Sequence, residues 1–337
     1  MLNFDRQRFI GITKGAIGLR SQIEQAVDEI TKKQIDNVFL IGSGGTIAIK
    51  YPFEYIIKTH SSIPVYAEIA AELLVEGHKQ LTDKSLVITS SLSGTTQETV
   101  DAAKFCREKG ATVIGIVGDA TTPLAQASDY VFANAAANDT LVESFHLQLL
   151  LIVLKFLNNR GEFDKYALFA DQLATVPESL VAIKEKEDAR AEAFAKKYKD
   201  EKYHMLVGSG NLWGWTYLYA MCVLEEMQWI HAKSIHAAEF FHGTIELVEK
   251  DMSIILFKGE DATRPLMERV ERFVTQYSDE VTIFDAKDYA LDGIHPEFRE
   301  FLSTVTIATV MERVSAHLEV QRNHPLTTRR YYRVVKY

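Results

Sequence analysis

Three short motifs recur in the second half of this 337-residue chain in the order they take in the first. Val38-Phe39-Leu40-Ile41-Gly42-Ser43-Gly44 is echoed by His204-Met205-Leu206-Val207-Gly208-Ser209-Gly210. Ala70-Ala71-Glu72 is echoed by Ala237-Ala238-Glu239, and Asp83-Lys84-Ser85-Leu86-Val87-Ile88 by Asp251-Met252-Ser253-Ile254-Ile255-Leu256. The offsets are 166, 167 and 168 positions. One such match arises by chance, but three in one order at a nearly constant offset read as a duplicated domain. The chain is therefore expected to fold as two similar units, and it is long enough to give each a core.

Within the first copy, short apolar runs alternate with helical patterns. Asn37-Val38-Phe39-Leu40-Ile41, Pro64-Val65-Tyr66-Ala67-Glu68, Ser85-Leu86-Val87-Ile88, Thr112 to Val117 and Tyr130 to Ala133 read as five strands. That alternation predicts an α/β fold with a parallel sheet covered on both faces. Residues 1–34 read as a helical lead-in, with Ile23, Val27 and Ile30 at helical spacing. Ile47 to Thr59 reads as a helix kinked at Pro52, and Val142 to Leu157 as a long apolar helix.

Composition narrows the partners. A hydrophobic share of 47% is ordinary for a globular protein, whereas a net charge of −9 argues against nucleic acid and anionic membranes. The run Leu147 to Leu157 is short for a bilayer span. The stretch Met1 to Arg6 lacks a signal-peptide pattern. Cys106 and Cys222 fall in helical apolar patterns, which suits a reduced cytoplasmic setting, and no Cys/His cluster has zinc spacing.

The strand Ser85-Leu86-Val87-Ile88 runs into Thr89-Ser90-Ser91-Leu92-Ser93-Gly94-Thr95-Thr96, after which a helix former continues to Gly110. Thr95 and Glu98 have capping-box spacing and predict the helix start. Hydroxyls, backbone amides and a positive helix end converge there, which suits a phosphate. An ordinary capped turn fits the same residues. In the second copy, Phe257-Lys258-Gly259-Glu260-Asp261 puts acids where the first has hydroxyls, which would repel a phosphate. The Gly42-Ser43-Gly44-Gly45-Thr46 turn lacks the third glycine and the suitably placed acid of a dinucleotide fingerprint, which argues against NAD.

Leu212 to His231 reads as a helix that is apolar nearly all round, with Glu226 among Tyr219, Cys222, Trp229 and Ile230 and Glu225 nearer Gln228. A carboxylate on such a stripe has a raised pKa and suits acid/base work, although a paired structural acid is the plain alternative. His242 precedes Gly243 in Ala238-Glu239-Phe240-Phe241-His242-Gly243. His231 and His236 are five apart, wrong for a helical metal pair.

The two copies, Ser91-Leu92-Ser93-Gly94-Thr95-Thr96, the Glu226 helix, Ala238 to Gly243 and Arg329-Arg330-Tyr331-Tyr332 resemble the tandem SIS (sugar isomerase) domains of the isomerase half of glucosamine-6-phosphate synthase. They resemble more closely the Amadori-type deglycases that cleave fructoselysine-like 6-phosphates. The resemblance runs from about residue 35 onward. It implies two five-stranded parallel sheets flanked by helices, as flavodoxin-like three-layer sandwiches. The expected division is a lead-in over 1–34, SIS domains over 35–165 and 166–325, and a tail over 326–337 closing on the site. Ser91, Ser93 and Thr96, with Thr46 reaching in, would hold the sugar 6-phosphate. Gly44, Gly45 and Ser144 would contact the sugar. Glu226 would shuttle the proton, and His242 of a neighbouring subunit in a homodimer, or a higher oligomer, would assist ring opening. No metal or cofactor is implied.

Two departures from the synthase bear on activity. Its glutaminase domain has no counterpart in this sequence, and Arg333 stands where its tail carries a lysine, with Lys336 three positions away. A guanidinium cannot form a Schiff base. The expectation is a deglycase releasing hexose 6-phosphate and an amino acid from a fructoselysine- or glucoselysine-type 6-phosphate. The alternatives are an aldose–ketose isomerase or glucosamine-6-phosphate deaminase, and a non-catalytic sugar-phosphate sensor. No helix-turn-helix pattern precedes residue 35 to support the last.

Overall fold

The computed structural model describes residues 1–336. The chain divides into two compact units. One comprises Arg6–Pro177 with Asp292–Phe301, and the other Met1–Asp5, Glu178–Leu291 and the residues from Leu302 on.

The first unit is built on five parallel strands: β1 (Asn37–Gly42), β2 (Val65–Ile69), β3 (Ser85–Ser91), β4 (Thr112–Val117) and β5 (Tyr130–Ala133), in the order β2-β1-β3-β4-β5. Every residue of β1, β3 and β4 is buried, which is why their central stretches Val38 to Ile41, Leu86 to Ile88 and Val113 to Val117 do not alternate with polar residues. On one face, Phe39, Ile41, Val87 and Val113 pack with Leu73, Val100 and Ala103 from the helices Ala70–Glu76 and Gln97–Glu108. The lead-in forms two helices, Arg6–Gly18 and Arg20–Ile30, which pack on the helix Leu141–Asn159. That last helix is longer than its sequence run suggested, and by length and composition it could cross a membrane. It is the core helix of its unit: 83% of its most apolar window is buried, and the buried set includes Glu143, Ser144, His146 and Gln148.

The second unit departs from expectation in having four strands rather than five. They are β6 (Tyr203–Gly208), β7 (His231–His236), β8 (Ile254–Lys258) and β9 (Val281–Asp285), all parallel, in the order β7-β6-β8-β9. Where the repeat would place a fifth strand, Pro296–Phe298 forms a 3-10 turn that runs into the helix Arg299–Gln321. Pro296 has no N–H to give to a ladder, which disfavours pairing there.

Three local expectations are also corrected. Ile47 to Thr59 is two helices, Gly45–Ala48 and Tyr51–His60, with Pro52 in the first turn of the second, where its missing N–H costs nothing. The helix after β3 starts at Gln97 with Thr96 as its cap, and no capping side-chain hydrogen bond forms. Leu212 to His231 is not one helix. A 3-10 turn (Gly210–Leu212) leads to an α segment (Trp213–Leu218), a π segment (Tyr219–Glu225) and a last α turn (Glu226–Gln228). Trp229, with φ of 55°, ends it, and His231 already belongs to β7.

Candidate functional site

In a sheet ordered β2-β1-β3-β4-β5 the chain reverses its direction of winding between β1 and β3. The crevice at the carboxyl ends of those two strands is where such folds take ligands. The Gly42 to Thr46 turn follows β1 and the Ser91 to Thr96 turn follows β3, so the strand order brings the two candidate turns side by side. Ser43 Oγ ties them together by donating to Glu98 Oε2 at 3.1 Å, in the first turn of the helix Gln97–Glu108.

Within the β3 turn the hydroxyls gather. Ser91 Oγ lies 3.0 Å from Thr96 Oγ1 and 3.5 Å from Ser93 Oγ, and it accepts from the Gly94 N–H at 3.1 Å. Thr95 Oγ1 donates to Ser93 Oγ at 3.0 Å. Gly94 has φ of 61°, and a Cβ there would collide with the Thr122 hydroxyl, so the turn requires glycine. Thr46 belongs to the glycine turn beside it. Its Oγ1 donates to Ser43 O at 2.9 Å and accepts from Ser43 N at 3.1 Å, which holds the glycine turn closed. Gly44, with φ of 57°, is exposed and Gly45 half-buried. Ser144 is fully buried, its hydroxyl accepting from Asn134 Nδ2 at 2.8 Å and Gln148 Nε2 at 3.2 Å.

The second unit repeats this architecture but fills it from within. Asp261, in the turn after β8, accepts from the backbone N–H of Asn211 at 3.1 Å and of Thr263 at 2.9 Å, and from Thr263 Oγ1 at 2.6 Å. A Cβ on Gly210 would strike its carboxylate. A side-chain anion thus occupies the amides of the second turn, where the first offers hydroxyls.

Glu226 sits in the last turn of the broken helix, and its side chain is 29% exposed. Its Oε1 pairs with Arg329 Nη2 at 2.8 Å. Burial raises its pKa above the usual carboxylate value, and the nearby Arg329 and Arg333 guanidiniums oppose that rise without cancelling it. Glu225 next to it is exposed. The segment after the helix Arg299–Gln321 wraps this end. Gln228 Nε2 donates to His324 O at 2.9 Å, the His324 ring meets Trp229 edge-on at 4.6 Å, and Arg330 lies 4.0 Å over the Trp229 ring. The Arg329 guanidinium is steadied by the Leu326 and Thr328 carbonyls at 2.7 and 2.9 Å. His242 stands exposed in the turns after β7, before Gly243 with φ of 144°, and its ring makes no hydrogen bond or ion pair among the described residues. Among the same residues, no group of three or more His, Cys, Asp or Glu is placed to hold a metal ion.

Comparison with known proteins bears directly on these features. The SIS-domain family model matches residues 30–157. The fructosamine deglycase FrlB of Bacillus subtilis is 36% identical over 94% of this chain and 97% of its own length. The chain belongs to the SIS-domain family of sugar-phosphate isomerases and deglycases. The fructoselysine 6-phosphate deglycase of Escherichia coli is 24% identical over 92% of this chain and 89% of its own. A crystal structure of a candidate phosphosugar isomerase from B. subtilis superposes with a TM-score of 0.90 at 33% identity, over 96% of this chain and 99% of that one. This SIS-domain protein therefore carries two SIS-like α/β domains, one of five strands and one of four.

Sequence reasoning missed two residues that lie beside the candidate groups, one in each unit. Arg329 was visible only as part of a family-like tail, with nothing to pair it to Glu226. Lys50, completely buried beside the glycine turn, reads in sequence as a routine polar position at the start of a helix.

Proposed function

We propose that this SIS-domain protein is a deglycase that converts an amino-acid–hexose 6-phosphate adduct into hexose 6-phosphate and the free amino acid. The observation that carries the reading is Glu226, a partly buried carboxylate whose proton affinity burial raises and whose charged partner is a guanidinium. Such a group can take a proton from carbon and return it, and Arg329 and Arg333 stay charged and cannot capture a carbonyl. Similarity to two deglycases over nearly the full chain supports the same conclusion.

In this scheme Ser91, Ser93, Thr96 and the amino end of the helix Gln97–Glu108 anchor the 6-phosphate, while Gly44, Gly45 and Ser144 shape the sugar's surroundings. Anchoring at the phosphate fixes C1 and C2 for proton transfer. With the amine on C1 and the carbonyl at C2, the Glu226 carboxylate takes a proton from C1. The enaminol is reprotonated at C2, and the C1 imine adds water and expels the amine, leaving the aldose 6-phosphate. With the amine on C2 the proton shift runs in reverse, and the ketose 6-phosphate forms. His242 from the other subunit of a homodimer assists ring opening.

The test is incubation with synthetic C1- and C2-linked amino-acid–hexose 6-phosphates, assaying glucose 6-phosphate, fructose 6-phosphate and released amine. Release of amine with one hexose 6-phosphate is expected. Turnover of free sugar phosphates with no release from any adduct would replace this reading by an isomerase.

A further inference from the structure

Lys50 connects the two turns of the first unit from beneath. It follows the short helix Gly45–Ala48 and leads into Tyr51–His60. Its Nζ is completely buried and donates to the Thr46 carbonyl at 2.7 Å and to Ser90 Oγ at 2.6 Å. Thr46 belongs to the turn after β1, and Ser90 precedes Ser91 at the end of β3. Both hydrogen bonds need only two N–H groups, so a neutral amine satisfies the fold. Among the described residues Lys50 has no ion pair. A cation buried in this way without an anion is costly.

None of the carboxylates on the surrounding elements forms an ion pair with Lys50 among the described residues. Glu54, Lys58 and His60 lie on its own following helix, and His60 Nδ1 faces the Ile56 carbonyl at 3.1 Å. Glu68 of β2 faces His78 at 3.8 Å. On the helix Leu141–Asn159 the titratable groups are Glu143, His146 and Lys155. Burial pushes the His146 pKa to about 4 and so keeps it neutral, and Lys155 is paired with Asp28 at 2.8 Å. Glu98, in the first turn after the phosphate turn, accepts from Ser43.

We propose that Lys50 is the counter-charge of the phosphate turn, a positioning residue that takes up a proton when a phosphate dianion docks and releases it when the site empties. The balance is simple: the proton comes from the buffer, adds to the amine nitrogen, and supplies a third N–H and a positive charge beneath the two turns. Burial alone pushes the empty-state pKa of Lys50 down to about 7, so at slightly alkaline pH the empty protein holds it mostly neutral. A bound dianion favours the charged form and raises that pKa. The inference rests on the reading of the Ser91 to Thr96 turn as a phosphate site, and its test separates the two.

Calorimetric titration of the full chain with glucose 6-phosphate at pH 8, in two buffers of different ionisation enthalpy, measures proton uptake directly. At that pH the ligand is already a dianion, so uptake reports the protein. Uptake approaching about one proton per site is expected. Lys50→Met should abolish the uptake and weaken glucose 6-phosphate binding about tenfold or more, with KM raised and kcat little changed. Lys50→Arg should bind the ligand with no uptake. Should Lys50→Met fail to fold, the 13Cε resonance of Lys50 in the unmodified protein serves instead, and it should move to the charged position on ligand binding at pH 8. Binding without proton uptake, uptake that persists in Lys50→Met, or an unmoved Lys50 resonance overturns the inference and leaves the phosphate site standing. Failure of the unmodified protein to bind glucose 6-phosphate overturns both.

Discussion

Glu226 and Arg329 are held in a 2.8 Å ion pair by chain segments that are distant in sequence, the end of a broken helix and the tail that wraps it. The guanidinium lowers the proton affinity of a carboxylate that burial raises. Arg329→Ala removes the opposing charge, so the Glu226 pKa should rise further. If the carboxylate is the working base, the acidic limb of the pH–kcat/KM profile should move to higher pH. Arg329→Lys should restore part of the shift. An unmoved acidic limb in Arg329→Ala would mean that another group titrates there.

Glu226→Gln keeps the shape of the side chain and removes its base. Turnover should fall by about 10²–10⁴ with substrate still bound, whereas Glu225→Gln, at an exposed position, should change little. Stability should respond in the opposite sense. A carboxyl whose folded pKa is raised favours folding below its unfolded pKa, and that contribution is lost as pH climbs through the folded value. Glu226→Gln should therefore raise Tm at neutral pH relative to the unmodified protein, with a smaller gain near pH 4. Comparison of thermal melts at the two pH values checks the sign.

Ser93→Ala should weaken the binding of 6-phosphorylated ligands by about 1.5–3 kcal/mol, the usual contribution of a hydrogen bond to a charged group. The unphosphorylated analogue should bind poorly to both proteins. Equal affinity of the unmodified protein for the two analogues would remove the phosphate assignment.

Gly94→Ala tests the turn itself. Its φ of 61° and the collision of a new Cβ with Thr122 should cost at least about 1–3 kcal/mol in unfolding free energy. Chemical denaturation measures that loss, and glucose 6-phosphate titration should show binding reduced along with it. Full retention of both would mean that the turn adapts without its left-handed residue.

His242 and Glu226 can be tested as partners across subunits. If one site takes each from a different chain, a mixed dimer of Glu226→Gln and His242→Asn holds one intact site. Co-expression of equal amounts should recover on the order of a quarter of unmodified activity, since about half of the dimers are mixed. Tagged pull-down confirms exchange. Activity no higher than in the parent mutants, with exchange confirmed, would remove His242 from the site.

Much of this architecture could be read along the chain. The five strands of the first unit, the duplication, the hydroxyl turn at the end of β3 and the greater burial of Glu226 over Glu225 all follow from local pattern. Apolar period, turn residues and repeat offset each report on neighbours within a few positions, and local conformation depends on such neighbours. The acidic character of the second copy's turn was also legible in Glu260 and Asp261.

Tertiary structure decided the remainder. The second sheet stops at four strands because Pro296 and the helix Arg299–Gln321 take the chain elsewhere, although the repeat by itself argued for five. The π segment Tyr219–Glu225 changed the phase of a helix that periodicity had treated as uniform. Only the strand order placed the glycine turn beside the hydroxyl turn, and only the packing of separate elements buried Lys50 beside both and brought Arg329 to Glu226. The physical reason is the same in each case. A hydrogen bond or an ion pair depends on distance in space, and spacing along the chain carries that distance only within one element. For residues on different elements it is fixed by how the elements pack, through contacts that no short stretch of sequence contains.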